Sequence, residues 1–265
     1  MRVFVDGIGL LAPGLSGWHA SVPVLAGGAP YEQATLVVPA LDLLPPAERR
    51  RVPAVVKLAL AVGSEALANA GRSAEDIATV FTSSGGDGDV IHQICEALAE
   101  PARQVSPTCF HNSVHNAPAG YWGIATQCHE PSTSLCAFDA SFAAGLIEAV
   151  SQALFGQCSV LLIAHDSPYP EPLNAARPIV ASCSIAMLLS PSASNVSLNA
   201  IAVTLEPCGH SATAMADPEL ERLRCGVPSA RGLPLLSAIA GQCLGPVTIP
   251  YLGDSTLRVD LGAVR

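Results

Sequence analysis

Apolar residues along this chain follow three spacings. Short continuous runs of β-prone residues occur at RVFV (2–5), IATVFTS (77–83), SVLLIAH (159–165), SIAMLLS (184–190) and LNAIAVTLEP (198–207), and such runs read as strands buried on both faces. The first run is followed by Gly7, Gly9 and Gly14, which predicts a turn into a loop after residue 5. The segment 52–70, VPAVVKLALAVGSEALANA, is apolar on every side and stops at Gly71, the pattern of a mostly buried helix closed by a left-handed glycine. Residues 89–100, DVIHQICEALAE, are amphipathic at helical period with Asp89 at their start. In the centre, STSLCAF (132–138), DASFAAGLIEAVSQALFG (139–156) and SVLLIAH predict strand, helix and parallel strand, a βαβ unit. The runs at 184–190 and 198–207, separated by a Ser/Pro/Asn turn, predict a hairpin. A helix is expected over 235–243 and short strands over 247–251 and 257–261. Without a fixed-period repeat or a long linker, the order of elements predicts one mixed-sheet α/β domain over 1–265.

Composition narrows the function classes. Charged residues make up 13% and apolar residues 50% of the 265 positions, a sparsely charged surface for a monomer of this size. Either a partner covers a large apolar face, or an alanine-rich composition raises the apolar count with no large side chain exposed. The formal charge of −9, with no basic run longer than Arg49 to Arg51, excludes a phosphate-backbone footprint and hence a nucleic-acid partner. The nine cysteines contain no CxxC pair and point to a reducing compartment. No apolar run reaches membrane-spanning length, so a cytoplasmic protein without a membrane anchor or signal peptide is expected.

Three segments carry a family likeness. VDGIGLLAPG (5–14), RRVPAVVKLALAVGSEALANAG (50–71) and the stretch 106–166, which contains NAPAG (116–120) and SLCAFDAS (134–141), occur in an order and at separations that resemble the β-ketoacyl synthases of the thiolase superfamily. The resemblance covers roughly residues 1–215. It implies a thiolase-like layered α/β/α fold with a mixed sheet, an N-terminal half-fold plus an abbreviated C-terminal part.

The departures from the family pattern decide the expected function. Aligning the segments on either side of the elbow places Asp139 where the family carries its nucleophilic cysteine. A thiolate at a helix N-terminus holds an acyl chain as a thioester. A carboxylate there is a stabilised anion, and Asp139 is expected to cap its helix. The HGTGT and NxFGFGG strings that bring the family's second catalytic half are absent; GHSAT (209–213) and YLGDS (251–255) lack the glycines and the spacing, and the chain ends at Arg265, short of a duplicated thiolase fold. By resemblance, the chain is expected to be a non-catalytic subunit of the chain-length-factor type. It would pair with an active ketosynthase of a fatty-acid-like or polyketide pathway of the aryl polyene type, meet acyl carrier protein through that partner, and need no cofactor or metal. The positions expected to line the acyl tunnel or the interface are Val90, Ile91, Ile94, Cys95, Cys109, Phe110 and Asn116.

Two other functions stay open at this point. One is an acyltransferase or hydrolase using Cys136 or Ser141; the other is a homodimeric scaffold for acyl carrier protein, which the net negative charge disfavours because carrier proteins are acidic. His111 and His115 stand at i, i+4 but lack the Glu of HExxH and a third ligand, and read as polar loop residues. SSGGDGD (83–89) lacks both the lysine of a P-loop and a full glycine fingerprint, and reads as a turn feeding the next helix.

Overall fold

Glycine decides the course of the first strand, though not as a turn signal. In the computed structural model, which describes residues 1–40, 42–207 and 210–264, strand β1 (Arg2–Ala12) runs straight through Gly7 and Gly9. A Cβ at Gly9 would stand 2.0 Å from the carbonyl oxygen of Val62, and one at Gly7 2.2 Å from that of Ala66. The glycines let the strand press against helix α3 (Ala54–Ala70), and a register shift between Val5 and Gly7 absorbs the bend. The expected loop after residue 5 is therefore a strand interior.

The other strands are β2 (Leu15–Ser16), β3 (Ala78–Thr82), β4 (Ser132–Leu135), β5 (Val160–Asp166), β6 (Cys183–Ser190), β7 (Asn199–Glu206), β8 (Gly245–Pro250) and β9 (Thr256–Gly262). They form one mixed sheet in the order β4-β3-β5-β6-β1-β7-β9-β8, with β2 folded back on β1. Strands β4, β3 and β5 are parallel, as the βαβ reading requires, and β3 lies between the other two. The predicted hairpin of 184–190 and 198–207 does not form. Strands β6 and β7 both pair antiparallel with β1, one on each side, so the first strand fills the place between them. Continuous apolar runs mark burial on both faces but carry no record of their neighbour.

The helices are α1 (Trp18–Leu25), α2 (Pro46–Arg49), α3, α4 (Gly88–Ala99), α5 (Pro107–Asn112), α6 (Ala117–Thr126), α7 (Ser141–Gly156), α8 (Leu173–Ala176), α9 (Pro218–Gly226) and α10 (Leu233–Ala240). Helix α3 ends as predicted on Gly71, at φ 62°, with the Gly71 and Arg72 amides donating to Ala68 and Leu67 carbonyls. With Tyr121 and Trp122 of α6 it covers one face of the sheet, over Phe81, Leu161, Ile163 and Leu188. Helix α7 covers the other face with α10, packing Phe142, Leu146 and Val150 over Val80, Leu162 and Met187. The layered α/β/α arrangement follows from these two cores.

Candidate functional site

Strands β3, β4 and β5 run parallel and finish together at Thr82, Leu135 and Asp166. In open α/β sheets the loops leaving such carboxyl ends are where ligands and chemistry gather. Three segments meet here: Ser83–Asp87, Cys136–Asp139 and the stretch from Ser167 onward.

At the elbow the chain turns from β4 into α7 through a single 3₁₀ turn, Phe138–Ala140. The residue in left-handed backbone is Phe138, at φ 52°, an unfavourable conformation for a bulky side chain. Asp139 therefore already lies inside the turn. No side chain caps the turn or α7, which corrects the expectation that Asp139 is an N-cap. Its carboxylate instead accepts from Nη2 of Arg177 at 2.8 Å and pairs with Nη2 of Arg231 at 3.2 Å. The Arg177 guanidinium also lies over the Phe138 ring, 3.6 Å from its centroid. Two cations and an aromatic face thus take up the groups at the turn, tying the elbow to the α8 segment and to the 3₁₀ turn Ser229–Gly232.

The two alternative nucleophiles are engaged in hydrogen bonds to the backbone. Ser141 is fully buried; its Oγ donates to the Phe138 carbonyl at 2.7 Å and accepts the Ala137 amide at 3.1 Å, so the hydroxyl braces the turn. Cys136 Sγ donates to the Ser84 carbonyl at 3.2 Å. Among the described residues no histidine hydrogen-bonds to either group.

Beneath the elbow lie ionisable groups that the sequence reading passed over as strand residues. His165 is fully buried, and burial, with a smaller push from His115, holds its pKa down at about 3; its Nδ1 has no hydrogen-bond partner among the described residues. Asp166 accepts the Ser84 amide at 2.8 Å and the Ser229 amide at 2.7 Å while burial raises its pKa, so this carboxyl joins the ends of β3 and β5 to the Ser229 turn. The signal available was a His-Asp pair closing an otherwise wholly apolar strand. Arg177 and Arg231 carried none, because they lie far from Asp139 along the chain.

Helix α4 is the second feature of this end of the sheet. Its cap is Asp87, whose carboxylate accepts the Val90 amide at 3.0 Å, and not Asp89, which lies in the first turn. Of its twelve residues only Val90 is buried. Ile91, Ile94, Cys95 and Leu98, at i, i+3, i+4 and i+7, make one apolar stripe, in which Ile91, Cys95 and Leu98 are exposed and Ile94 is half-buried. Phe110 of the neighbouring α5 is 71% exposed and Val114 beyond it 53%. Between α4, α5 and the start of α3 lies a cavity of about 290 Å³. Val90 and Cys109 line it; Ile91, Ile94, Cys95, Phe110 and Asn116 do not, and Asn116 sits exposed at the head of α6. The lining is mixed, with Arg51, Asp87, Asp89 and Gln93 beside Pro53 and Val55.

His111 packs edge-on against Tyr121 and His115 bonds the Ser83 carbonyl, so the pair does not converge. Among the described residues no three His, Cys, Asp or Glu side chains cluster as metal ligands, and no helix is long and apolar enough to cross a membrane. Cys208 and Gly209, the latter opening the GHSAT string, lie outside the described residues.

The family model for the N-terminal domain of β-ketoacyl synthase matches residues 26–227. The chain belongs to the β-ketoacyl synthase N-terminal-domain family. Solved structures agree on the ketosynthase fold, which is the thiolase-like mixed sheet between helical layers. A chain of the complex of a ketosynthase with its chain length factor from Xenorhabdus doucetiae superposes with a TM-score of 0.75 at 20% identity, over 98% of this chain and 99% of that one. A chain of the ishigamide ketosynthase/chain length factor gives 0.74 at 13%, covering 100% of both. A chain of a type II polyketide synthase acyl-carrier protein in complex with its ketosynthase gives 0.72 at 11%, covering 99% of both. A search of curated protein sequences found no match.

Proposed function

We propose that this chain is a non-catalytic subunit of the chain-length-factor type. It pairs with an active ketosynthase in the cytoplasm and helps to shape the acyl tunnel of a fatty-acid-like or polyketide pathway of the aryl polyene type. The observation that carries the reading is helix α4, a twelve-residue amphipathic helix with a single buried residue and an apolar stripe facing outward. A stripe at this spacing is the signature of a helix that docks against a partner. The elbow supports the same reading, since Asp139 is clamped by two arginines and the turn Phe138–Ala140 carries no thiol. The edge of the sheet adds to it: among the described residues β4 pairs only with β3, and its other side is open to a strand from a partner. The relatives in fold come from complexes of a ketosynthase with its chain length factor or with an acyl-carrier protein, which makes such a partnership the natural one to test.

The test is co-expression with ketosynthases encoded in the same gene neighbourhood. A stable one-to-one complex and a product whose length changes with this subunit are expected. If every candidate ketosynthase purifies alone and makes the same product without this chain, the reading is wrong. A self-associated dimer that buries the α4 stripe would point instead to the homodimeric scaffold.

A further inference from the structure

We propose that the pocket at the end of the sheet opposite the elbow binds a small zwitterion of the α-amino acid class, with its ammonium on Asp6 and its carboxylate at Arg72. The pocket opens at Ser159, just before β5, whereas the elbow and α4 lie beyond the other end of that strand, so the site owes nothing to pairing with a ketosynthase. Asp6 is the extra residue of the bulge between Val5 and Gly7 of β1, an irregularity of the kind that re-aims a side chain. It is 4% exposed, yet it lines a cavity of about 610 Å³ onto which the C-terminal ends of α3 and α7 also open.

Every donor that reaches the Asp6 carboxylate is a hydroxyl. Ser190 donates to Oδ2 at 2.5 Å, Ser197 to Oδ1 at 2.6 Å and Ser194 to Oδ1 at 3.5 Å, and among the described residues no cation pairs with it. A carboxylate withdrawn from water without a counter-charge is costly. A carboxylate accepts about four hydrogen bonds, so Oδ2 keeps a lone pair for one more donor. The C-terminal ends of α3 and α7 carry the negative end of the helix dipole and favour a cation at the same place. Arg72 supplies the opposite charge. Its guanidinium reaches Ser159 Oγ at 3.5 Å and Asp76 at 3.4 Å, long contacts that leave it free to take a carboxylate. The Ser159 and Ser190 hydroxyls are 3.0 Å apart. Successive contacts of 2.5, 3.0 and 3.5 Å therefore link Asp6 to Arg72 and set the two charges no more than about 9 Å apart. Charge-assisted hydrogen bonds of about 2.8 Å at each end leave no more than about 3 Å between the ligand's nitrogen and oxygen, the span that standard bond lengths give an α-amino acid. An extended ω-amino acid overshoots it, and an amine alone leaves Arg72 unused.

The experiment titrates the full chain with L-alanine and with its two halves, ethylamine and propionate, and follows the amides of Gly71, Ser159 and Asn195 at the pocket by NMR. L-Alanine is expected to bind about three- to fivefold more tightly than ethylamine, because the Arg72 contact is partly exposed and screened. It is expected to bind at least about tenfold more tightly than propionate, which offers Asp6 no donor. Arg72→Gln is expected to remove the difference between L-alanine and ethylamine and to leave the ethylamine affinity in place. Asp6→Asn is expected to weaken both about tenfold; thermal unfolding checks that this variant folds, and where it does not, the Arg72→Gln series decides. Unshifted amides, equal affinity for the three probes, or a preference for L-alanine over ethylamine that survives Arg72→Gln overturns the proposal. Asp6 would then serve only to fasten the serine loop that follows β6.

Discussion

Truncating Phe110 to alanine separates binding from folding in this chain. The ring is 71% exposed, and an aromatic side chain offers about 150–250 Å² for burial, so about 140 Å² of apolar surface is open, and under the proposed pairing a partner would cover it. At about 25 cal/mol per Å², and allowing for the Cβ that alanine retains, its removal costs about 3 kcal/mol of association, about a hundredfold in Kd. The isolated chain loses little, because less than a third of the ring is buried and alanine is the better helix former in α5. Isothermal titration against the purified ketosynthase measures the first quantity and thermal unfolding of the isolated chain the second. A Kd within twofold of wild type would refute the interface assignment. A large fall in Tm with unchanged Kd would show that Phe110 belongs to this chain's own core.

Four further outcomes are expected. Gly9→Ala drives a Cβ to 2.0 Å from the Val62 carbonyl and should cost about 3 kcal/mol or more in urea unfolding; a loss under 1 kcal/mol would show that β1 and α3 separate freely. Asp139→Asn unpairs Arg177 and Arg231 at a half-exposed site and should lower stability by about 1–2 kcal/mol, read as about 2–8 °C in Tm, with no change in thiol reactivity; an unchanged Tm would mean the clamp contributes nothing. His165, neutral when folded with a pKa near 3 against 6.5 when unfolded, makes stability complete above pH 6.5. As pH falls from 6.5 toward 3 the unfolded chain takes up a proton that the native chain refuses, and stability drops by up to about 1.4 kcal/mol per pH unit. Asp166, raised by burial, opposes this by protonating first in the native state, so the reading is the difference in slope against His165→Leu; identical slopes would exclude His165 as the source. A thiol-reactive acyl probe should label Cys136 no faster than the exposed Cys95 and Cys225, and fast labelling that Cys136→Ala abolishes would restore a nucleophile to the elbow.

Local signals in the sequence were strong where one element sufficed to explain them. Helix α3 and its Gly71 terminus, the βαβ order of β4, α7 and β5, and the family itself were all legible from periodicity and short strings. Relations across the chain were not. An apolar run says that a strand is buried, and so β6 and β7 looked like a hairpin until β1 was found between them. Gly7 and Gly9 signal either a turn or a close approach, and only the position of α3 decides between the two. The elbow shows the same limit at the scale of one residue: Asp139 heads an apolar helical pattern as a cap would, yet the left-handed residue is Phe138 and the carboxylate finds two arginines from distant segments. Of the candidate tunnel positions, Ile91, Ile94 and Cys95 came from the family resemblance, and on α4 they fall at helical spacing along one stripe. The cavity beneath depends on α3 and on strand-end loops that no local pattern ties to α4.

The place of β1 bears on how the protein is made. The strand is synthesised about 200 residues before its partner β7, yet it ends in the middle of the sheet, with Arg2 opposite Ala202 of β7. At about 5–20 residues per second, synthesis needs about 10–40 s to deliver that partner. Through that interval one side of β1 stays open, and an open, apolar strand edge is a template for wrong pairing. Chain order and sheet order thus run against each other here, and a nascent chain stalled before β7 would be the form most exposed to aggregation.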